Sequence, residues 1–357
     1  MILVAASPGE LRAALRDAEG RLADFAISRP AAPDGIGDLY RGRIGRRVPS
    51  MGGTFVLIET ERYGFLPDTI GAAGLTEGAR VTVRVTRAAQ GGKGPRLALA
   101  GMQAEGPVGL LSRGPDAVRR LAARWPELPL LIDDPAVQAQ LAAALPGRVR
   151  SGPGFDEALE AEIAGLAEAQ HALPGGAVAH IEITRALVAI DVDSGMAAAS
   201  PHPAMNQAVI PELARQIRLR NLGGAILIDL AGLSVRRRKA LAPDFVAALA
   251  RDPLRPRFLG FTALGLAEIL RPRVAPPLYE LLFGPYAAGL AALRAVAKES
   301  RAAPARIFAL RAAPSVAGAL AGDPAALAEL ARRTGRVLTL ESDPSLAPVG
   351  WALQPLA

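Results

Sequence analysis

Cysteine is absent from the 357 residues, and histidine is nearly so, with only His171, His180 and His202. The first absence excludes disulfides, thiolate nucleophiles and thiolate zinc sites together. The three histidines fall at no spacing that would gather a metal. Lysine is scarce too: of 41 basic residues only Lys93, Lys239 and Lys298 are lysines. Aromatic residues make up just 4% of the chain, so each one carries information. No apolar run approaches the roughly eighteen residues of a membrane helix. The opening Met1-Ile-Leu-Val-Ala-Ala has no basic stretch and leads straight into Pro8-Gly9-Glu10, unlike a secretory signal. A cytoplasmic chain without a membrane segment is the expectation.

Half of the residues are apolar, which marks a folded chain long enough for two or three domains. The net charge is +7. Arginine excess in a chain rich in alanine, glycine and proline is discounted as partly compositional. Its clustering at Arg41-Gly-Arg-Ile-Gly-Arg-Arg47 and Arg236-Arg-Arg-Lys239 is not. Such clusters are either phosphate contacts, for which the guanidinium fork is suited, or solvated faces.

Two short runs stand out: Ala189-Ile-Asp-Val-Asp193 and Gly224-Ala-Ile-Leu-Ile-Asp229. Each is apolar and β-branched, as interior strands are, and each ends in aspartate. Between them, Asn206 to Arg220 carries Val209, Leu213, Ile217 and Leu219 near helical spacing. Strand, crossover helix and strand put Asp191 and Asp229 on neighbouring strand ends, at the carboxyl edge where open α/β sheets meet ligands. Two converging carboxylates suit a magnesium ion held against phosphate; strand-terminal aspartates also serve as caps and turn formers. Asp193 returns to the face of Asp191 two residues on. It reads as an outer-sphere or third ligand, or as an Asx turn before Ser194-Gly195.

Residues 37 to 99 show short strands between turns, as in a small barrel, and Arg80 to Thr86 alternates apolar with polar or basic residues. Phe55 and Phe65 are either core residues or, on the outer face, stacking platforms for unpaired bases. Lys93, in Gly91-Gly-Lys-Gly-Pro-Arg96, suits a phosphate contact, although the glycine frame is too short for a P-loop. The pattern predicts a strand at Ile2 to Ala5, a helix from Pro8 to Asp17 and a strand from Leu22 to Ile27. It predicts a helical stretch over 107–175, with one helix from Phe155 to His171. A hairpin pairs the strand after Gly175-Gly176 with the one ending at Asp191. A helix follows at Ala240 to Ala250, a strand at Arg257 to Phe261, and a helix at Ala263 to Arg271. After a proline-rich stretch over 272–285, a last module combines helices with strands at Arg306 to Leu310 and Arg336 to Leu340.

These motifs resemble the catalytic region of the ribonuclease E/G family. The resemblance is carried by Thr184 to Gly195, Asn206, Glu212 to Gly224 and Ile226 to Asp229. In the barrel it is carried by Leu39 to Ile44, Val48-Pro49-Ser50, Phe55-Val56 and Glu61 to Pro67. It implies an α/β fold: an RNase H-like mixed sheet domain with an inserted S1 (OB-type) β-barrel and a small C-terminal α/β domain. The implied divisions are 1–35 and 105–273 for the sheet domain, 36–104 for the barrel and 274–357 for the last module.

The resemblance further implies Mg2+ held by Asp191 and Asp229, with Asp193 where the family often has asparagine. RNA-binding residues would be Phe55, Phe65 and Lys93, joined by Arg215, Arg218 and Arg220. The implied activity is hydrolysis of single-stranded RNA by an endoribonuclease, leaving 5′-phosphate and 3′-hydroxyl ends, in RNA processing or decay, including that of ribosomal RNA. The alternative is an RNA-binding or ribosome-assembly protein with weak or no catalysis. A homodimer is expected, but without the family's two-cysteine zinc link, because Val274-Ala-Pro-Pro277 stands in its place. The family's 5′-sensor sequence is not found before Leu130 to Asp134.

Overall fold

The computed structural model describes residues 1–102, 105–195 and 202–356. They fall into two compact units, one of residues 1–33, 117–167 and 278–357, the other of residues 34–116 and 168–277. The chain begins with β1 (Ile2–Ser7), β2 (Glu10–Arg16) and β3 (Leu22–Ser28). Next come β4 (Leu39–Val48), β5 (Gly53–Glu59), β6 (Arg62–Pro67), β7 (Arg80–Arg87), β8 (Arg96–Met102) and β9 (Gly109–Ser112). Then follow α1 (Ala117–Arg124), β10 (Leu130–Ile132), α2 (Pro135–Ala144), β11 (Val149–Ser151) and α3 (Glu157–Gly165). The central stretch holds β12 (Gln170–Ala172), β13 (Val178–Ile183), β14 (Leu187–Asp193), α4 (His202–Leu219) and β15 (Gly224–Asp229). After it stand α5 (Val235–Lys239), α6 (Ala242–Leu249), β16 (Arg257–Phe261) and β17 (Ala267–Arg271). The chain closes with α7 (Leu278–Leu282), α8 (Pro285–Ala302), β18 (Ile307–Ala312), α9 (Pro314–Ala321), α10 (Pro324–Thr334), β19 (Thr339–Ser342) and β20 (Trp351–Leu356). No described helix is long and apolar enough to cross a membrane.

In the first unit, the helix expected from Pro8 to Asp17 is instead strand β2. Alanine, leucine and arginine favour helix, but Pro8-Gly9 makes a two-residue turn with Gly9 at φ +75°. That turn folds Glu10 to Leu15 back onto β1 in antiparallel register. Tertiary pairing overrides propensity here. The stretch over 107–175 is likewise less helical than expected, because β10 and β11 extend the sheet to the order β11-β10-β1-β2-β3. At the C-terminal end, β18 pairs with β19 and with β20, a strand the sequence pattern did not mark. The helices α8, α9 and α10 supply Leu290, Leu293, Val316, Leu320 and Leu330 to its core.

In the second unit, β4, β5, β6, β8 and β7 close into a five-stranded barrel, because β5 pairs with both β6 and β4. Val81, Val83 and Val85 of β7 point inward with Tyr40, Val56, Ile58, Leu66 and Leu97, as the alternation of that strand requires. Beside it lies a mixed α/β sheet in the order β12-β13-β14-β15-β17-β16. Its strands β14 and β15 run parallel and are joined through α4, while their neighbours are antiparallel. Val188, Ile190, Val192, Ile226 and Ile228 are buried with Val209, Leu213 and Ile217 of α4 and Phe245 of α6.

Two expectations in this sheet are corrected. Residues Ala267 to Arg271 form β17, not the end of a helix. Gly265, at φ +87°, turns the chain after Thr262, and alternate residues Ala267, Ile269 and Arg271 are buried. The helix expected to reach His171 ends at Gly165, and His171 pairs in β12 with Ala179 of β13.

Candidate active site and nucleic-acid interface

Burial alternates along β14, with Val188, Ile190 and Val192 buried and Asp191 and Asp193 exposed on the opposite face. On β15 the same logic leaves Asp229 exposed after buried Ile226 and Ile228. The pairing register puts Asp191 directly opposite Asp229 on one side and opposite His180 of β13 on the other. Adjacent strands lie roughly 4.8 Å apart, so the two carboxylates stand side by side at the carboxyl edge. Asp193 accepts a hydrogen bond from the Gly195 N–H at 2.9 Å, the Asx turn that was one of its two readings. Among the described residues no group of three or more His, Asp or Glu side chains could hold a metal. The arrangement therefore offers an open pair of carboxylates rather than a closed cage.

The strand ends are tied down from behind. Asn206, fully buried on α4, donates from Nδ2 to the Ala231 carbonyl oxygen at 2.8 Å, two residues past Asp229. Arg238 of α5 donates from Nη1 to Asp229 Oδ1 at 2.6 Å. Its guanidinium is anchored on the carbonyl oxygens of Leu233 and Gly265 at 3.0 and 3.1 Å. Arg238 belongs to the basic cluster seen in the sequence, but its pairing with Asp229 needs the turn after β15 and was not visible there. His180 was missed for a similar reason, since hairpin register decides which residue faces Asp191.

On the barrel, Phe55 and Phe65 are register partners on β5 and β6. Their rings meet edge to face at 5.5 Å between centroids. Neither belongs to the barrel core; Phe55 is 39% exposed and Phe65 half-buried. The Phe65 ring lies against Gly53, where a Cβ would stand 2.6 Å from its Cζ. Lys93 is exposed in the turn between β7 and β8, in a bridge with Gln90.

The arginines of α4 are placed differently. Arg215 pairs with Glu212 at 2.8 Å, and Glu212 also takes hydrogen bonds from His171 at 2.8 Å and Gln216 at 2.9 Å. Burial alone would raise the Glu212 carboxyl, but the bonds from His171, Arg215 and Gln216 outweigh it and hold it at about 2. Arg220 is buried, bonding Gln216 Oε1 at 2.9 Å and the Glu168 carbonyl oxygen. Arg218 is half-buried in the same helix. The structure thus brings Asp191, Asp193 and Asp229 together on one sheet edge and Phe55 and Phe65 together on the barrel, while Arg215 and Arg220 serve contacts inside the protein.

Residues 150–274, which span this sheet, match the ribonuclease E/G family. Over this segment the chain is similar to the ribonuclease E/G family. Ribonuclease E of Synechocystis is 39% identical over 119 residues, covering 32% of this chain and 18% of that protein. Ribonuclease E of Escherichia coli is 26% identical over 401 residues, covering 78% of this chain and 37% of that protein. Ribonuclease G of Escherichia coli is 30% identical over 132 residues, covering 35% of this chain and 27% of that protein. The chain spans less than half the length of each of these relatives. Every candidate carboxylate lies inside the ribonuclease E/G segment, while Phe55, Phe65 and Lys93 lie before it.

Proposed function

We propose that this chain is a magnesium-dependent endoribonuclease that hydrolyses single-stranded RNA to 5′-phosphate and 3′-hydroxyl ends, in RNA processing or decay. The observation that carries the reading is the register of Asp191 against Asp229 at an exposed strand edge. Two open carboxylates fit magnesium, which keeps several waters and uses one or two carboxylates together with substrate phosphate. Asp191 and Asp229 would hold the ion, with Asp193 in its outer sphere. When bound, the ion supplies Lewis-acid chemistry, drawing charge from the scissile phosphate. Asn206 and Arg238 keep the Asp229 strand end and carboxylate oriented. Phe55 and Phe65 stack on unpaired bases, and Lys93 meets a phosphate. The mixed sheet would then be RNase H-like and the barrel an S1 domain. The chain would act in the cytoplasm as a homodimer.

Support for the enzyme class comes from the matched family and the named relatives. The test is incubation of the purified protein with a single-stranded RNA in magnesium, with and without excess chelator, followed by analysis of the product ends. Cleavage that stops in chelator and leaves 5′-phosphates supports the reading; undiminished cleavage in chelator overturns it. A second reading, an RNA-binding or ribosome-assembly protein with little catalysis, is favoured by the Arg238–Asp229 ion pair, which occupies one carboxylate oxygen at 2.6 Å. Tight RNA binding with no metal-dependent products would select it.

A further inference from the structure

Arg87 ends β7 and Arg96 begins β8, and the two are paired in register. The Ala88 N–H donates to the Val274 carbonyl oxygen at 2.8 Å, so Arg87 and Arg273 are each the chain neighbour of a residue in one backbone hydrogen bond. Arg273 is seated on Gly223-Gly224: its Nε donates to the Gly223 carbonyl oxygen at 3.0 Å, and a Cβ on Gly224 would stand 2.4 Å from that Nε. The backbone segments that carry three arginines, two β-strands and the stretch after β17, therefore meet in one place.

None of the three joins an ion pair among the described residues. Arg87 is half-buried, and its Nε is buried without a hydrogen-bond partner. Burial first, then the positive charges of Arg96 and Arg273, weaken the hold of Arg87 on its proton, and no carboxylate is among the charges acting on it. Like charges crowded in partly dry surroundings repel unless an anion balances them. Planar, forked donors match phosphate oxygens in particular. Arg96 is also the register partner of Phe65, so the cluster continues the aromatic face of the barrel.

We propose that Arg87, Arg96 and Arg273 form an anion site for a phosphate group of an RNA strand that also crosses Phe65. This rests on the RNA-binding reading above and names the second anchor of the strand. Arg273 packs at the Gly224 end of β15, and five residues at about 3.3 Å each separate that end from Asp229. The bound phosphate is accordingly not the scissile one. The site contributes to holding RNA and not to the chemical step.

The test compares wild type with Arg87→Gln/Arg96→Gln/Arg273→Gln for binding of a single-stranded oligouridylate across a salt series. A lysine version of the first two substitutions and thermal melting control for folding. Affinity of the glutamine variant should fall about tenfold or more at low salt, and its salt slope should flatten by about one to two phosphate contacts at roughly 0.7 each. The lysine version should keep the slope, and the cleavage rate at saturating RNA should stay unchanged while the half-saturating concentration rises. Oligomers bearing a 5′-monophosphate or a 5′-hydroxyl separate the two sources of phosphate. Equal losses identify an internal phosphodiester, and a larger loss for the monophosphate identifies the strand terminus. A folded glutamine variant that binds like wild type, with the same salt slope, would overturn the site while leaving the RNA-binding reading standing. Absence of RNA binding by wild type would overturn both.

Discussion

Asp229 shares one carboxylate oxygen with Arg238 and faces Asp191 across a strand pair, so a single side chain is set by both charge and register. The same economy holds at Phe65, whose ring touches Phe55 and rests on Gly53. Base stacking on aromatic side chains contributes about 1–3 kcal/mol per base. Phe55→Ala should therefore weaken binding of a single-stranded oligoribonucleotide roughly tenfold, without lowering the melting temperature much, since Phe55 lies outside the barrel core. Fluorescence anisotropy checks this, and unchanged affinity in the folded variant would remove the stacking role. Glu212 gives a pH-dependent expectation. Its folded-state carboxyl is held at about 2 against an ordinary 4.5, so its contribution to stability is fully present above about 4.5 and lost as pH falls towards 2. The stability gap between wild type and Glu212→Gln, measured by urea denaturation, should be constant above that range and shrink on acidification. A gap that widens in acid would contradict the assigned partners.

At the scale of elements, the parallel pair of β14 and β15 and the helix between them decide where the carboxylates stand. Asn206 couples that helix to the turn after Asp229. Removing its donor takes that bond from the half-buried Ala231 carbonyl oxygen, a loss of about 0.5–1.5 kcal/mol. Asn206→Ala should therefore lower stability by that order and slow cleavage while leaving RNA affinity near wild type; an unchanged cleavage rate would show that the strand end needs no such tether. This pair of strands was legible in the sequence because each is a short apolar run ending in aspartate, and the helical spacing of Val209, Leu213 and Ile217 marks the crossover. Other elements were not legible, for identifiable reasons. Residues Glu10 to Arg16 are all good helix formers and become a strand through the Pro8-Gly9 turn and pairing with β1. Residues Ala267 to Arg271 are turned into a strand by Gly265. The place of His180 opposite Asp191 and the ion pair of Arg238 with Asp229 depend on register and on a turn, neither of which a linear pattern encodes.

Across the whole molecule, a net charge of +7 favours encounter with polyanions over a long range at low salt. Without cysteine, any oligomer must rest on ordinary interface burial and cannot be joined through thiolate zinc. Capture and chemistry are assigned to different parts of the second unit, the aromatic face of the barrel and the carboxyl edge of the mixed sheet. That division makes one comparison decisive: magnesium-dependent cleavage and binding of the same single-stranded RNA by wild type, Asp191→Asn and Asp229→Asn. We expect both variants to bind RNA within about twofold of wild type, since the base and phosphate contacts proposed for the barrel stay in place, and to lose cleavage. Either variant cleaving at the wild-type rate in magnesium would contradict this expectation.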